Sequence, residues 1–170
     1  LAKLKDKYSI YATMDRSAQQ AKFVAEQYQA KYTTTNLDEI LSDKQVDLVL
    51  ITTRHDSHAE YCLKALQAGK HVFVEKPLAI SQEELDKIKD FYLQGSGPKP
   101  VLLVGFNRRF SKYLTEIKKH TDKRINPLLI HYRMNAGLLP PDHWVFETGG
   151  RIIGEACHII DTISFLTKSP

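Results

Sequence analysis

The sequence predicts an α/β fold in which a parallel sheet carries helices on both faces, followed by the start of a second α+β domain. Short, continuously apolar segments alternate with segments of helical periodicity, which is typical of a parallel sheet covered on both faces. Polar residues directly follow four of the apolar segments. In such sheets, ligands bind beyond the carboxyl ends of the strands.

The composition of the 170-residue chain is that of a globular protein, with 42% hydrophobic and 26% charged residues. The net charge of +4 comes from interleaved acids and bases, so we expect no nucleic-acid partner. No apolar run approaches the ~18 residues that span a bilayer, and no leader is recognisable. We therefore expect a cytoplasmic protein without a membrane partner. Cys62 and Cys157 lie far apart, which favours two buried thiols over a disulfide or a metal site.

The first part of the chain predicts two strands, each accompanied by a helix. Residues 8–15 are rich in aromatic and β-branched residues and predict a strand that ends at an acid. Residues 17–30 place apolar side chains on one helical face. Thr35 and Asn36 predict the start of a short helix. The apolar segment 46–53 predicts a strand buried on both faces.

The middle of the chain repeats this alternation. A capping box at its first residues predicts a helix over 57–68, and Gly69 supplies its end. The stretch "HVFVEKP" (71–77) predicts the next strand. A second capping box opens a helix over 81–94, and 101–107 predicts a further strand.

The pattern changes after residue 110. Residues 110–123 predict a helix, 125–137 an extended strand, 138–150 a loop, and 151–167 a largely apolar helix.

Four polar clusters follow the predicted strands and should meet at one edge of the sheet. They are Asp15 with Arg16; Thr52, Thr53 and Arg54; Glu75, Lys76 and Pro77; and Asn107, Arg108 and Arg109. A single charged residue after a strand is usually only solvated. Four clusters together predict a ligand-binding edge.

Lys76 and His158 are the candidate acid/base pair. A lysine held at a strand end by Pro77 can donate a hydrogen bond to a substrate oxygen. Histidine titrates near neutrality and can exchange a proton with the substrate. Glu155 and Asp161 lie three residues to either side of His158, so one helical face should carry all three. The alternative is a core histidine whose partner is Asp161.

Asp15 is the acid expected on an adenosine ribose in a dinucleotide-binding fold. Its alternative is a turn residue at a strand end. Arg16 could receive a 2′-phosphate, so the cofactor is NAD or NADP. No G-x-G-x-x-G motif occurs in the chain.

His55, Asp56 and His58 suggest a metal site, but we predict none. The capping box begins the helix at Ser57, so the two histidines should not share a helical face. We expect His58 at a helix entry beside the cofactor instead.

The stretch "AGKHVFVEKPLA" (68–79) resembles the E-K-P signature of the Gfo/Idh/MocA oxidoreductases, and "VDLVLITTRHDSHAEYCLKAL" resembles the strand and helix before it. "VLLVGFNRRF", "HYRMNAGLLPPDHW" and "GGRIIGEACHIIDTISFL" are similar to the subgroup sometimes fused to a zinc alcohol dehydrogenase-like domain. The resemblance covers essentially all 170 residues.

The resemblance implies a Rossmann-like cofactor domain over 1–110, with a connecting helix and the beginning of a substrate domain over 111–170. It implies an NAD(P)-dependent oxidoreductase acting on a sugar, nucleotide sugar or polyol, and a homo-oligomer. Lys76 takes the family's catalytic position and His158 its histidine. The family's aspartate corresponds to Gly154, with Glu155 one residue later as the substitute acid.

The family pattern also implies a glycine-turn strand before residue 1 and further strands after residue 170. We therefore expect a fragment with an open edge inside its sheet, and weak or absent dinucleotide binding by the isolated chain.

Two other functions stay open at this point. One is a non-catalytic dinucleotide sensor, which has no need of an acid/base pair. The other is redox-assisted elimination or hydrolysis, which leaves NAD(P)H unchanged overall.

Overall fold

The structure is a computed structural model that describes residues 6–168. Within this range, five parallel strands form two sheets. In the first sheet, β1 (Ala12–Met14) pairs with β2 (Tyr32–Thr34). The second has the order β3 (Leu48–Ile51), β4 (His71–Val74) and β5 (Leu102–Val104).

Helices connect these strands and continue beyond them. They are α1 (Ala18–Tyr28), α2 (Leu37–Ser42), α3 (His55–Gln67), α4 (Gln82–Leu93), α5 (Lys112–Thr121) and α6 (Cys157–Thr167). Short 3-10 helices span Asn107–Phe110 and Trp144–Phe146. A π-helical segment, Ile152–Ala156, leads directly into α6.

Side-chain caps fix the starts of several helices where the sequence predicts them. The Ser81 hydroxyl accepts a hydrogen bond from the backbone N–H of Glu84 at 3.2 Å. The Glu84 carboxylate in turn accepts from the N–H of Ile80 at 2.9 Å. Asn36 caps α2 by accepting from the N–H of Asp38. Each cap satisfies an amide that has no partner within its helix.

The core lies where α3 and α4 pack against the three-stranded sheet. Its fully buried side chains include Cys62, Ala65 and Leu66 of α3 and Val72 and Val74 of β4. These apolar contacts hold β3 and β4 in register, so the chain segments after their carboxyl ends emerge side by side.

The predicted α/β class with parallel sheets is confirmed, with three local differences. Residues 32–34 form a strand that the sequence analysis missed, because only three residues belong to it. Residues 125–137 form no strand. A β-strand requires backbone hydrogen bonds to a neighbouring strand, and within the described part of the chain this segment pairs with no strand. Within residues 6–168, β1 and β3 are not hydrogen-bonded to each other.

The third difference is the start of α3. The helix begins at His55, two residues before the predicted Ser57, and Arg54 is its N-cap. Instead of capping the helix, the Ser57 hydroxyl lies 2.7 Å from the Thr53 hydroxyl and 2.9 Å from the Arg54 carbonyl.

Candidate active site

A cleft of about 450 Å³ opens at the carboxyl ends of β1, β3 and β4. It is lined by eight of the residues predicted to bind a cofactor: Asp15, Arg16, Thr52, Thr53, Arg54, His58, Glu75 and Lys76. β3 and β4 are neighbours and place their following residues side by side, while Asp15 and Arg16 come from the end of β1 in the other sheet.

Lys76 follows β4 and crosses to the π-helical segment. Its Nζ donates a hydrogen bond to the Gly154 carbonyl oxygen at 2.6 Å. The Lys76–Pro77 peptide bond is cis. The ammonium group therefore lies between the end of the sheet and the helix that carries His158.

His158 is buried, with 7% of its surface exposed, and its ring lies edge-on to Phe106 at 6.3 Å. Within residues 6–168, its Nδ1 has no hydrogen-bond partner. Burial lowers the pKa of His158 below its ordinary value, and the positive charges of Arg108 and Lys76 lower it further. The neutral form of the ring is thus favoured, and the described residues leave its Nδ1 without a partner.

The alternative interpretation, in which Asp161 satisfies His158, is wrong. Asp161 instead forms a bidentate ion pair with Arg109, whose Nε donates to the Asp161 carboxylate at 3.0 Å. This ion pair connects the 3-10 helix after β5 to α6.

Glu155 forms an ion pair with Arg151, at 2.9 Å from Nε to Oε1. It lies in the π-helical segment, where the turn is wider than in an α-helix. Glu155 and Asp161 are thus each paired with an arginine, and neither forms a hydrogen bond with His158 in the described residues. The role of Glu155 as a helper acid stays a prediction.

His58 is almost fully buried and contacts two carbonyl oxygens. Its Nδ1 lies 2.7 Å from the Pro77 oxygen, and its Nε2 lies 2.9 Å from the Thr53 oxygen. The ring thus connects the segment after β3 to the segment after β4. These contacts stabilise the two chain segments that line the cleft.

Five other residues line the cleft that the sequence analysis did not select: Met14, His55, Ser57, Tyr61 and Trp144. The ring of Trp144 packs edge-on against His55 at 5.0 Å, and the Arg54 guanidinium lies 5.5 Å from its centre. Trp144 is the chain's single tryptophan and ends the "PPDHW" stretch. This position was the signal by which the sequence could have indicated Trp144 as a cleft residue.

The remaining predicted residues have other contacts. Asp15 lines the cleft and also accepts from the Ser17 N–H at 2.8 Å, as a turn residue does; its contact with a ribose stays a prediction. Asn107 and Arg108 follow β5 but do not line the cleft. Arg108 donates to the Tyr132 hydroxyl at 2.9 Å.

His55 and His58 share the first turn of α3, because the helix begins earlier than predicted, and their rings lie 5.9 Å apart. Even so, residues 6–168 contain no group of three or more side chains suited to holding a metal ion. None of the helices in this range is long and apolar enough to cross a membrane.

Parallel strands with covering helices, and a polar cleft at their carboxyl ends, define a Rossmann-type nucleotide-binding domain. The model of the oxidoreductase family with an NAD-binding Rossmann fold matches residues 1–94. The chain belongs to this family, the Gfo/Idh/MocA oxidoreductases.

Relatives agree with this assignment. An uncharacterised oxidoreductase of Schizosaccharomyces pombe is 35% identical over 181 aligned residues, which cover all of this chain and 48% of the relative. Inositol 2-dehydrogenase of Salmonella typhimurium is 30% identical over 131 residues, covering 75% of this chain and 37% of the enzyme.

The structure of levoglucosan dehydrogenase in complex with NADH and levoglucosan superposes with a TM-score of 0.77 at 25% identity. The match covers 93% of this chain and 44% of that one. The chain thus spans about half or less of the length of these relatives.

Proposed function

We propose that the protein is an NAD(P)-dependent dehydrogenase that transfers a hydride between the cofactor and a hydroxyl-bearing carbon of a sugar or polyol. The observation that carries the proposal is the arrangement of Lys76 and His158. Lys76 lines the cleft and bonds to the Gly154 carbonyl, four residues before His158, which is buried and whose Nδ1 has no partner in the described chain. Inositol and levoglucosan, named in the relatives, are polyhydroxy compounds of this class.

The cleft residues fit a dinucleotide. Asp15 offers a carboxylate to ribose hydroxyls, Thr52 and Thr53 offer hydroxyls, and Lys76 offers a cation at the far wall. Arg16 beside Asp15 suits a 2′-phosphate, so NADP is accommodated as well as NAD. When bound, the nicotinamide supplies a hydride acceptor.

His158 would accept the proton of the substrate hydroxyl. Its lowered pKa keeps the ring neutral near pH 7, which is the form that accepts a proton. Lys76 would donate a hydrogen bond to the same oxygen, where negative charge develops as the C–H bond breaks. The substrate thereby loses a hydride and a proton and becomes a ketone.

We propose that residues 1–110 hold the cofactor and that 111–170 begin the substrate-binding part; residues 1–5 and 169–170 of these ranges lie outside the described residues. We also propose a cytoplasmic homo-oligomer. The free thiols Cys62 and Cys157 suit a reducing compartment.

Replacing Lys76 with Ala tests the proposed chemistry. In the complete gene product, turnover should fall by about 100-fold or more, the usual contribution of a positioned proton or hydrogen-bond donor. The Kd for NADH or NADPH, measured by fluorescence titration, should change by less than about threefold. Equal losses of turnover and cofactor affinity would count against a catalytic lysine.

The same titration on wild-type protein identifies the cofactor. Binding of either dinucleotide supports the proposal, and the tighter of the two gives the preference. If neither NADH nor NADPH binds the complete gene product, the proposed function is wrong.

A further inference from the structure

The ammonium group of Lys76 is held by a backbone carbonyl. The acceptor is the Gly154 oxygen at 2.6 Å, and Gly154 lies buried inside the π-helical segment. Lysine has three N–H donors, so this bond leaves two for other partners. The direction of those two depends on where the Gly154 carbonyl lies.

Gly154 has no room for a side chain. A Cβ at this position would lie 2.8 Å from Cε1 and 3.4 Å from Nδ1 of His55. Carbon atoms in contact lie about 3.5–4.0 Å apart, so something would have to move. The backbone of Gly154 is not among the positive-φ glycines, so packing against His55 is what requires glycine here.

His55 is itself fixed in place. It is the first residue of α3, has 9% of its surface exposed, and packs edge-on against Trp144 at 5.0 Å. Burial lowers the pKa of His55, and the charge of Lys76 lowers it further. The ring is therefore neutral beside Lys76 and does not repel it.

We propose that His55 and Gly154 form a positioning pair that sets the direction of the Lys76 ammonium group. The His55 ring occupies the space that a side chain at 154 would need, and so fixes the carbonyl that holds Lys76. The inference rests on the proposed function, in which Lys76 donates a hydrogen bond to the substrate oxygen. Neither residue needs to touch the substrate.

A double-mutant cycle tests the pair in the complete gene product without cofactor. The variants are Gly154→Ala, His55→Ala and the double substitution, with folding checked by thermal melts. The readout is the rate of acetylation of Lys76 at limiting reagent, resolved by peptide mass spectrometry. The His55→Ala background is the matched control, since Gly154→Ala then adds the same methyl group without the ring.

Gly154→Ala alone should change the acetylation rate of Lys76 about tenfold, the scale of one lost hydrogen bond to a charged group. Adding the same substitution to His55→Ala should change it less than about twofold. Turnover should follow the same pattern, with kcat lowered in Gly154→Ala and partly restored in the double variant.

Equal effects of Gly154→Ala in both backgrounds would overturn the positioning pair. If Gly154→Ala does not fold, His55→Asn provides the second test, because it removes part of the ring that supports the carbonyl. An unchanged Lys76 rate in that variant would also overturn the pair. If the coupling is found but no variant or wild-type protein oxidises a polyol, the pair stands and the proposed function fails.

Discussion

At the residue scale, burial is the largest cause that lowers the pKa of His158. The positive charges of Arg108 and Lys76 lower the pKa further, while Asp161 and Glu75 raise it more weakly. The carboxylate of Asp161 is already engaged by Arg109. The balance around the ring is therefore cationic, which disfavours a second positive charge.

This balance predicts the pH dependence of the proposed reaction. A base with a lowered pKa stays neutral to below pH 6.5, so kcat/KM should fall only as the pH drops below that value. Arg108→Gln removes a cation and should raise the pKa of His158. The acidic limb of the kcat/KM–pH profile should then move to higher pH. His158→Gln should abolish the limb and lower kcat by about 100-fold or more. A limb that is unchanged in Arg108→Gln would contradict this assignment.

Sequence reasoning found those site residues that follow strands, because a strand end is visible in the pattern of apolar residues. Asp15, Thr52, Thr53 and Lys76 belong to this class. Trp144 and His55 were missed as cleft residues, since their place depends on a loop and on the true start of α3. The Lys76–Gly154 bond joins residues 78 positions apart, and no local pattern encodes it.

At the element scale, His58 joins the ends of two strands. Its ring nitrogens face the carbonyls of Thr53 and Pro77 at 2.9 and 2.7 Å, and only 1% of the residue is exposed. The segments after β3 and β4 are thereby tied to α3. The geometry of the cleft depends on this buried connection as well as on the sheet ladder.

His58→Ala should therefore destabilise the protein by about 2–4 kcal/mol, because the carbonyl that accepts from the ring N–H loses its donor and a cavity forms. Urea unfolding of the complete gene product measures the change. His120→Ala is the matched control, since that ring is exposed on α5 and lies 3.8 Å from Glu116. Its effect should stay within about 0.5 kcal/mol. Equal effects of the two substitutions would show that the connection is unimportant.

The elements themselves were predictable where capping and periodicity agree. Ser81 begins α4 as its capping box predicts, but the similar pattern at Ser57 lies inside α3. There the Ser57 hydroxyl bonds to the Thr53 hydroxyl and the Arg54 carbonyl oxygen, so this serine does not cap the helix. The π-helical segment before α6 is a further departure, because a run of apolar residues does not distinguish a π turn from an α turn.

For the whole molecule, the parallel α/β class follows from apolar strands separated by amphipathic helices, and the family match agrees with it. The division into two sheets did not follow from the same pattern. It depends on which strands lie side by side, and residue composition does not specify neighbours. The segment 125–137 is an example, since its apolar residues suit a strand but have no described strand beside them.

Two buried histidines with lowered pKa values make the stability of the molecule depend on pH. His55 and His158 bind protons more weakly in the folded protein than in the unfolded chain, where their pKa lies near 6.5. The unfolded state therefore takes up more protons as the pH falls through 6.5, and the free energy of unfolding should decrease. Above that pH, both rings are neutral in both states and contribute no slope.

Urea unfolding of the complete gene product between pH 7.5 and about 5 should record this loss. The range lies above the ordinary pKa values of Glu116 and Asp122, whose pKa values are lowered by ion pairs and whose effects come at lower pH. His55→Asn and His158→Gln should each reduce the slope, and together they should remove most of it. A slope that survives both substitutions would assign the acid sensitivity to other groups, and His158 would then not be the neutral, buried base on which the proposed chemistry depends.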